Sequence, residues 1–268
     1  MIAKKILDVL ISDGVKSIAF CPYLEQMFDS MRSVYEEAVK RGLDTSLYFI
    51  PWYTKDSIGD FEITDDVEIP KQEYIVLHNP FDYYNLITSV HPYFYSDNLV
   101  KMGKKIIYIP YHTGNMEKHV IKLPVAKNAE YIFCAEGDEE NIKAVYPDKK
   151  VYAFGSPKKD LLTKKHGKEV MLCASLMPLV YDPKGRIEKY KEILSMRKML
   201  FRPHPLTESG LRAMNPAGLP LWEEFIKGID CDRDPDLERS LSRCRKIYTD
   251  SPSILELWQE TGLPYEWI

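Results

Sequence analysis

Arg202 and His204 close a short apolar run, Lys198-Met199-Leu200-Phe201-Arg202-Pro203-His204-Pro205, and their types and spacing could do chemistry. Arginine presents a planar fork of donors that matches a phosphate, and histidine can donate a hydrogen bond or move a proton near neutral pH. Pro203 and Pro205 stop regular structure at that point. In an open α/β sheet, ligands lie beyond the carboxyl ends of the strands, so the run predicts Arg202 and His204 against an anionic, nucleotide-linked ligand. The competing reading is an arginine in a surface ion pair and a histidine packed between prolines.

Three further constellations have the same form. Tyr248-Thr249-Asp250-Ser251-Pro252-Ser253 precedes a helical pattern; hydroxyls and unpaired N–H groups at a helix start attract anions, although Asp250 or Ser251 could serve only as a cap. Ile109-Pro110-Tyr111-His112-Thr113-Gly114 follows an apolar strand pattern, which places His112 on a carboxyl-end loop as a candidate base. Gly155-Ser156-Pro157-Lys158-Lys159-Asp160 could approach a phosphate or act only as a turn. Neither a G-x-G-x-x-G nor a G-x-x-x-x-G-K-[ST] pattern occurs. Asp230-Cys231-Asp232-Arg233-Asp234 has the look of a metal motif, but Pro235 after it points to a helix start. An aromatic stretch over 80–95 fits a packed loop better than an acceptor groove, and the acidic cluster Asp60, Glu62, Asp65, Asp66 and Glu68 fits a solvated loop.

These residues need a scaffold that brings strand ends together. Apolar runs at 16–22, 45–51, 73–78, 104–110, 130–135, 150–154, 169–173, 198–201 and 245–249 predict strands, with a last one near 265–268. Helical spacing is found at 2–11, 27–41, 138–145, 185–195, 221–227, 235–244 and 251–261, and Gly42 closes the second. Strands that read as continuous apolar runs alternating with helices predict parallel sheets covered on both faces. About ten strands are too many for one open sheet, so two Rossmann-like sheets are expected, joined at the polar stretch 160–168.

The chain has 268 residues, with 36 basic and 40 acidic side chains and a net charge of -4, which argues against a nucleic-acid protein held by bulk charge. Five cysteines, an odd number with no C-x-x-C pair, argue against zinc and disulfide frameworks and fit a reducing cytosol. The apolar patch within 1–14 is too short and too charged to span a membrane or serve as a signal peptide.

Taken in order, the motifs resemble the CDP-glycerol glycerophosphotransferase family, the teichoic-acid polymerase and primase group of GT-B arrangement. Tyr111-His112-Thr113-Gly114 stands where that family has a Trp-His-Gly loop, and Gly155-Ser156-Pro157 with Asp160 where it has Gly-x-Pro-x-x-Asp. Arg202-Pro203-His204-Pro205 is similar to its basic-x-His-Pro strand end, and Thr249-Asp250-Ser251-Pro252-Ser253 to its Ser-Asp-Tyr-Ser-Ser helix start. The stretches 20–51 and 74–96 also resemble the amino-terminal half of a bacterial subgroup. The aromatic of the family's helix start is replaced here, and Thr113 intrudes between His112 and Gly114.

The resemblance implies a GT-B-like α/β fold, two Rossmann-like domains with parallel sheets facing a central cleft. An acceptor domain would cover 1–163 and a nucleotide-donor domain 164–268. It implies His112 as the acceptor-activating base and His204 as a phosphate-contacting or acid-side histidine. Arg202, Thr249, Asp250, Ser251, Ser253, Gly155 and Ser156 would bind the donor. The implied reaction moves a glycerophosphate-like group from a CDP-activated polyol donor to a hydroxyl of a cell-surface glycan or teichoic-acid-type precursor, with no metal and no cofactor. Two alternatives stay open: a UDP-sugar-dependent GT-B glycosyltransferase or epimerase, and a catalytically degenerate nucleotide-binding or scaffold protein. A lipid-linked acceptor would bring a cytoplasmic protein to the inner face of the membrane without a spanning segment. The chain stops where the resemblance implies a further helix, so a minimal, truncated or oligomer-completed version is expected.

Overall fold

The computed structural model describes residues 1–22, 25–48, 70–78, 99–110, 124–162, 167–234 and 236–268. These divide into two units that meet in sequence between Leu161 and Leu162. His112 with its loop, the acidic cluster and the aromatic stretch at 80–95 lie outside the described residues.

The first unit is built on a six-stranded sheet in the order β2-β1-β3-β4-β5-β6. Its strands are β1 (Ser17–Phe20), β2 (Asp44–Leu47), β3 (Tyr74–Leu77), β4 (Lys105–Tyr108), β5 (Ala129–Phe133) and β6 (Lys150–Tyr152), and every pairing is parallel. Ile6, Leu7 and Leu10 of the helix Ile2–Ser12 join Ile18, Phe20, Val34 and Ala38 in one apolar cluster, which is why that helix shows a one-sided pattern. The predicted helix at 27–41 is split: a 3-10 segment, Glu25–Ser30, precedes the α-helix Arg32–Lys40. Asp29 and Ser30 explain the break, since short polar side chains compete for the backbone and favour helix boundaries. Gly42 ends the helix with φ +75, the left-handed conformation expected of a C-terminal glycine.

The second unit has a four-stranded sheet in the order β10-β9-β7-β8, again parallel throughout. The strands are β7 (Glu169–Cys173), β8 (Leu200–Arg202), β9 (Cys244–Thr249) and β10 (Tyr265–Trp267). Tyr190, Phe201, Trp222 and Phe225 form a buried aromatic cluster, with Phe201 and Phe225 edge to face at 5.3 Å. A second cluster gathers Met171, Cys173, Leu241, Cys244, Ile247, Leu257 and Trp258. The α/β class and the two parallel sheets agree with the sequence pattern. Two helices, Leu176–Tyr181 and Thr207–Met214, were not expected from it. Among the described residues no helix is long and apolar enough to cross a membrane.

Candidate functional site

The order β10-β9-β7-β8 reverses direction between β7 and β9, so the chain leaves these neighbouring strands toward opposite sides at their carboxyl ends. Such a switch point opens a crevice, the usual ligand position of a parallel α/β sheet. β7 runs into Cys173-Ala174-Ser175 and β9 into Thr249-Asp250-Ser251, so a predicted constellation stands at that point. Thr249 Oγ1 donates to the Cys173 carbonyl at 2.9 Å and accepts from the Ser251 N–H at 3.0 Å, tying the two strand ends together.

Ser251 is the N-cap of the helix Pro252–Gln259, yet its side chain makes no capping bond. Its hydroxyl instead pairs with that of Ser253 at 3.2 Å. Pro252 occupies the first helical position, where no N–H is needed. Among the described residues the helix start therefore offers N–H dipoles and two hydroxyls, with no capping bond from Ser251.

Asp250 does not supply that anion outward. It is buried, its Oδ1 accepts from the Ser175 N–H at 2.6 Å, and its Oδ2 accepts from the Tyr190 hydroxyl at 2.7 Å. Burial pushes its pKa above the usual carboxylate range, against the hydrogen bonds that pull it down. Asp250 thus clamps the β9 turn to the β7 turn and to the helix Pro183–Met196. Ser175, Arg186 and Tyr190 of this arrangement were missed in sequence reasoning. The signal was present in Asp182-Pro183, an N-cap and first-position pair that starts the helix and sets Arg186 and Tyr190 four residues apart on one face.

On the other side of β7, β8 ends at Arg202-Pro203-His204. Arg202 is buried, and its Nη1 donates to Asp232 Oδ2 at 2.6 Å, to the Asp234 carbonyl at 2.9 Å and to Ser240 Oγ at 2.9 Å. Asp232 also accepts from Arg243 at 2.6 Å. Cys231 forms a parallel bridge with Phe201, which delivers Asp232 beside Arg202. The expectation that Arg202 grips an external anion is answered by an internal one. Asp232 is used here too, rather than at a helix start: Asp236 caps Leu237–Ser242 by accepting from the Arg239 N–H at 3.0 Å. Among the described residues no group of three or more His, Cys, Asp or Glu side chains could hold a metal ion.

His204 is half-buried, and burial pulls its imidazole down to about 4, so the ring is neutral at physiological pH. Its Nδ1 accepts from the Leu206 N–H at 3.2 Å, which puts the remaining proton on Nε2. His204 is a neutral donor rather than a cation. β8 and β9 flank β7, so His204 and Ser251 extend from strand ends roughly 10 Å apart, two strand spacings.

Gly155 and Ser156 belong to the first unit, and the structure gives their turn a different task. Gly155 has φ +87 and donates its N–H to the Cys134 carbonyl at 2.8 Å, while Ser156 is fully buried. The turn ends on Asp160, whose two oxygens accept from the N–H groups of Ile2 and Ala3 at 2.8 and 2.7 Å. A residue 158 positions away in sequence therefore caps the first helix. The cysteines Cys21, Cys134, Cys173 and Cys244 are buried, and burial pushes the thiols of Cys134 and Cys244 to about 12, so neither is a nucleophile at neutral pH.

Two units, each built on a parallel sheet, define a GT-B-like α/β protein. Solved structures that share the fold include UDP-GlcNAc 2-epimerases. The enzyme from Neisseria meningitidis bound to UDP-GlcNAc matches with a TM-score of 0.60 at 12% identity, over 93% of this chain and 81% of that one. The enzyme from Methanocaldococcus jannaschii in complex with UDP-GlcNAc and UDP gives 0.58 at 11% identity, over 94% and 83%. The S. aureus MnaA–UDP structure gives 0.58 at 11% identity, over 93% and 78%. No protein-family model matches the chain, and no curated protein does. At these identities the likeness establishes the fold.

The resemblance to CDP-glycerol glycerophosphotransferases is corrected by these neighbours, which bind UDP and UDP-GlcNAc. The CDP-activated polyol donor, the glycan or lipid-linked acceptor, and a place in teichoic-acid or envelope assembly go with it. The physical reason lies in the motifs. Strand end, tight turn and helix start describe how a parallel sheet receives phosphate, and they carry no information about the base or the group attached.

Proposed function

We propose that this protein is a UDP-sugar enzyme of the 2-epimerase type, which receives the diphosphate of its substrate at the start of helix Pro252–Gln259 and inverts C2 of the sugar. One observation carries the reading: Thr249–Ser253 end β9 at the switch point, at a helix start whose N-cap side chain, Ser251, makes no capping bond. Ser251 and Ser253 would donate to diphosphate oxygens, and Nε2–H of His204 would add a neutral donor from the β8 side. Thr249 and Asp250 hold these groups in place. The ligands of the neighbouring structures, UDP and UDP-GlcNAc, supply the chemical class. Five cysteines without a disulfide fit action in the cytosol.

A second reading, nucleotide binding without turnover, draws on the chemistry of the second unit: Arg202 is committed to Asp232, and His204 is neutral. Thermal shift with UDP, UDP-GlcNAc, CMP and CDP-glycerol separates the donors, with about 2.7 kcal/mol of stabilisation at a hundredfold excess over Kd. Proton NMR of UDP-GlcNAc in D2O then follows the C2 epimer and deuterium at C2. Equal or greater stabilisation by the cytidine compounds would sink the uridine assignment. UDP binding without the epimer would leave the second reading standing.

A further inference from the structure

We infer that Arg186 is the cation that takes the phosphate-bearing part of the ligand at this switch point; the inference rests on the functional reading above and names a residue for it. Arg186 and Tyr190 lie on one face of the helix Pro183–Met196, and both reach Asp250. Tyr190 is fully buried and hydrogen-bonded to Asp250. Arg186 Nη1 stands 3.6 Å from the same carboxylate oxygen. Charge-assisted N–H···O bonds run about 2.7–2.9 Å, so the arginine is held there by charge and not by its donors.

The carboxylate has its close donors already, the Ser175 N–H and the Tyr190 hydroxyl. Among the described residues Arg186 Nη1 is buried without a hydrogen-bond partner. The side chain as a whole is 27% exposed, against 1% for that of Asp250, so its exposure lies on the rest of the chain, where Nε and Nη2 form a paired edge. Arg202 is the contrast, 9% exposed with its Nη1 fully engaged.

The position gives that edge its use. Asp250 immediately precedes Ser251, so Arg186 sits beside the helix start that offers two hydroxyls and its N–H dipoles. A guanidinium edge matches two phosphate oxygens, and a diphosphate at that place meets Arg186 from the helix Pro183–Met196 and Ser251 and Ser253 from the β9 side.

Isothermal titration of the full chain tests this, with wild type, Arg186→Met and Arg186→Lys against UDP, uridine and inorganic pyrophosphate. Arg186→Met is expected to weaken UDP and pyrophosphate roughly 10- to 100-fold and to leave uridine unchanged. Arg186→Lys keeps the charge beside Asp250 but lacks the fork, so it is expected to melt like wild type and lose about fivefold or more. A UDP affinity of Arg186→Met within twofold of wild type overturns the inference. So does an equal loss for uridine, which marks a purely structural role. If Arg186→Met fails to fold, wild-type affinity in Arg186→Lys overturns it alone. If wild type binds pyrophosphate and no uridine nucleotide, the UDP-sugar reading falls while the pyrophosphate comparison still decides Arg186. Binding of neither probe by wild type overturns both.

Discussion

Replacing Arg202 with methionine separates a structural arginine from a ligand-binding one. Its Nη1 makes three contacts inside the second unit, the closest at 2.6 Å to Asp232. Removing one partner of a buried ion pair costs about 3–5 kcal/mol, because the other charge is left without compensation. Asp232 retains Arg243 at 2.6 Å, so the lower end, about 3 kcal/mol, applies. Leu162–Ile268 comprises 107 residues. At about 2.1 cal/mol/K per residue the unit unfolds with about 0.22 kcal/mol/K, and 3 kcal/mol lowers its Tm by about 13 °C. Trp222 and Trp258 are both buried in this unit, so their fluorescence follows the melt. UDP affinity at 10 °C, where the variant is folded, is expected to stay within threefold of wild type.

The pH dependence of the loss has a definite sign. Burial alone would raise Asp232, but hydrogen bonds from Ser240, Arg202 and Arg243 outweigh it and hold the carboxyl below its usual range. A depressed carboxyl contributes stability above its unfolded pKa of about 3.9 and loses it as pH falls through the folded value. The gap between wild type and Arg202→Met therefore narrows below pH 4. Changing both partners to apolar residues, Arg202→Met with Asp232→Leu, is expected to recover part of the loss. A variant that melts within 3 °C of wild type but binds UDP more than tenfold more weakly would refute the assignment and return Arg202 to the ligand.

Two further outcomes follow from the same contacts. Asp160→Ala removes two hydrogen bonds from the start of the first helix and is expected to cost about 1–2 kcal/mol in a urea titration, with Asp160→Asn closer to wild type. His204 has a folded pKa of about 4, below its ordinary 6.5, so it contributes stability that is present above 6.5 and lost as pH falls toward 4. Denaturation midpoints are expected to decline over that window in wild type and less steeply in His204→Asn; equal slopes would show that the ring titrates normally.

The strands were legible because a parallel sheet covered on both faces needs apolar side chains on both, as in Ile75-Val76 and Ile106-Ile107. The helix Leu176–Tyr181 was hidden by its six residues and by Pro178 within them. Thr207–Met214 was hidden by Ser209-Gly210, a poor helical pair that packing requires: a Cβ on Gly210 would come within 2.7 Å of Leu176. At the candidate site, the boundary between β9 and the next helix was legible, because hydroxyls, an aspartate and a proline before an apolar run mark a helix start. The partner of Arg202 was not, since Asp232 arrives from 30 residues away through one bridge. An arginine at a strand end states that an anion is near; whether that anion is internal depends on tertiary structure.

The two units have no visible sequence repeat, yet their sheets begin alike. The first runs β2-β1-β3-β4, and the second, numbered from its own first strand, runs second, first, third, fourth as well. Each therefore has one switch point, between its first and third strands, and the chemistry of the crevice is decided by the few residues after those strands. In the first unit these are Cys21-Pro22 and His78, with Cys21 and His78 both buried. In the second they are Ala174-Ser175 and Asp250-Ser251, where a buried carboxylate holds the backbone and hydroxyls remain at the helix start. Arg202 braces β8 through Asp232, while Asp250 at the end of β9 is held by Ser175 of the β7 turn and by Tyr190 of the helix that carries Arg186.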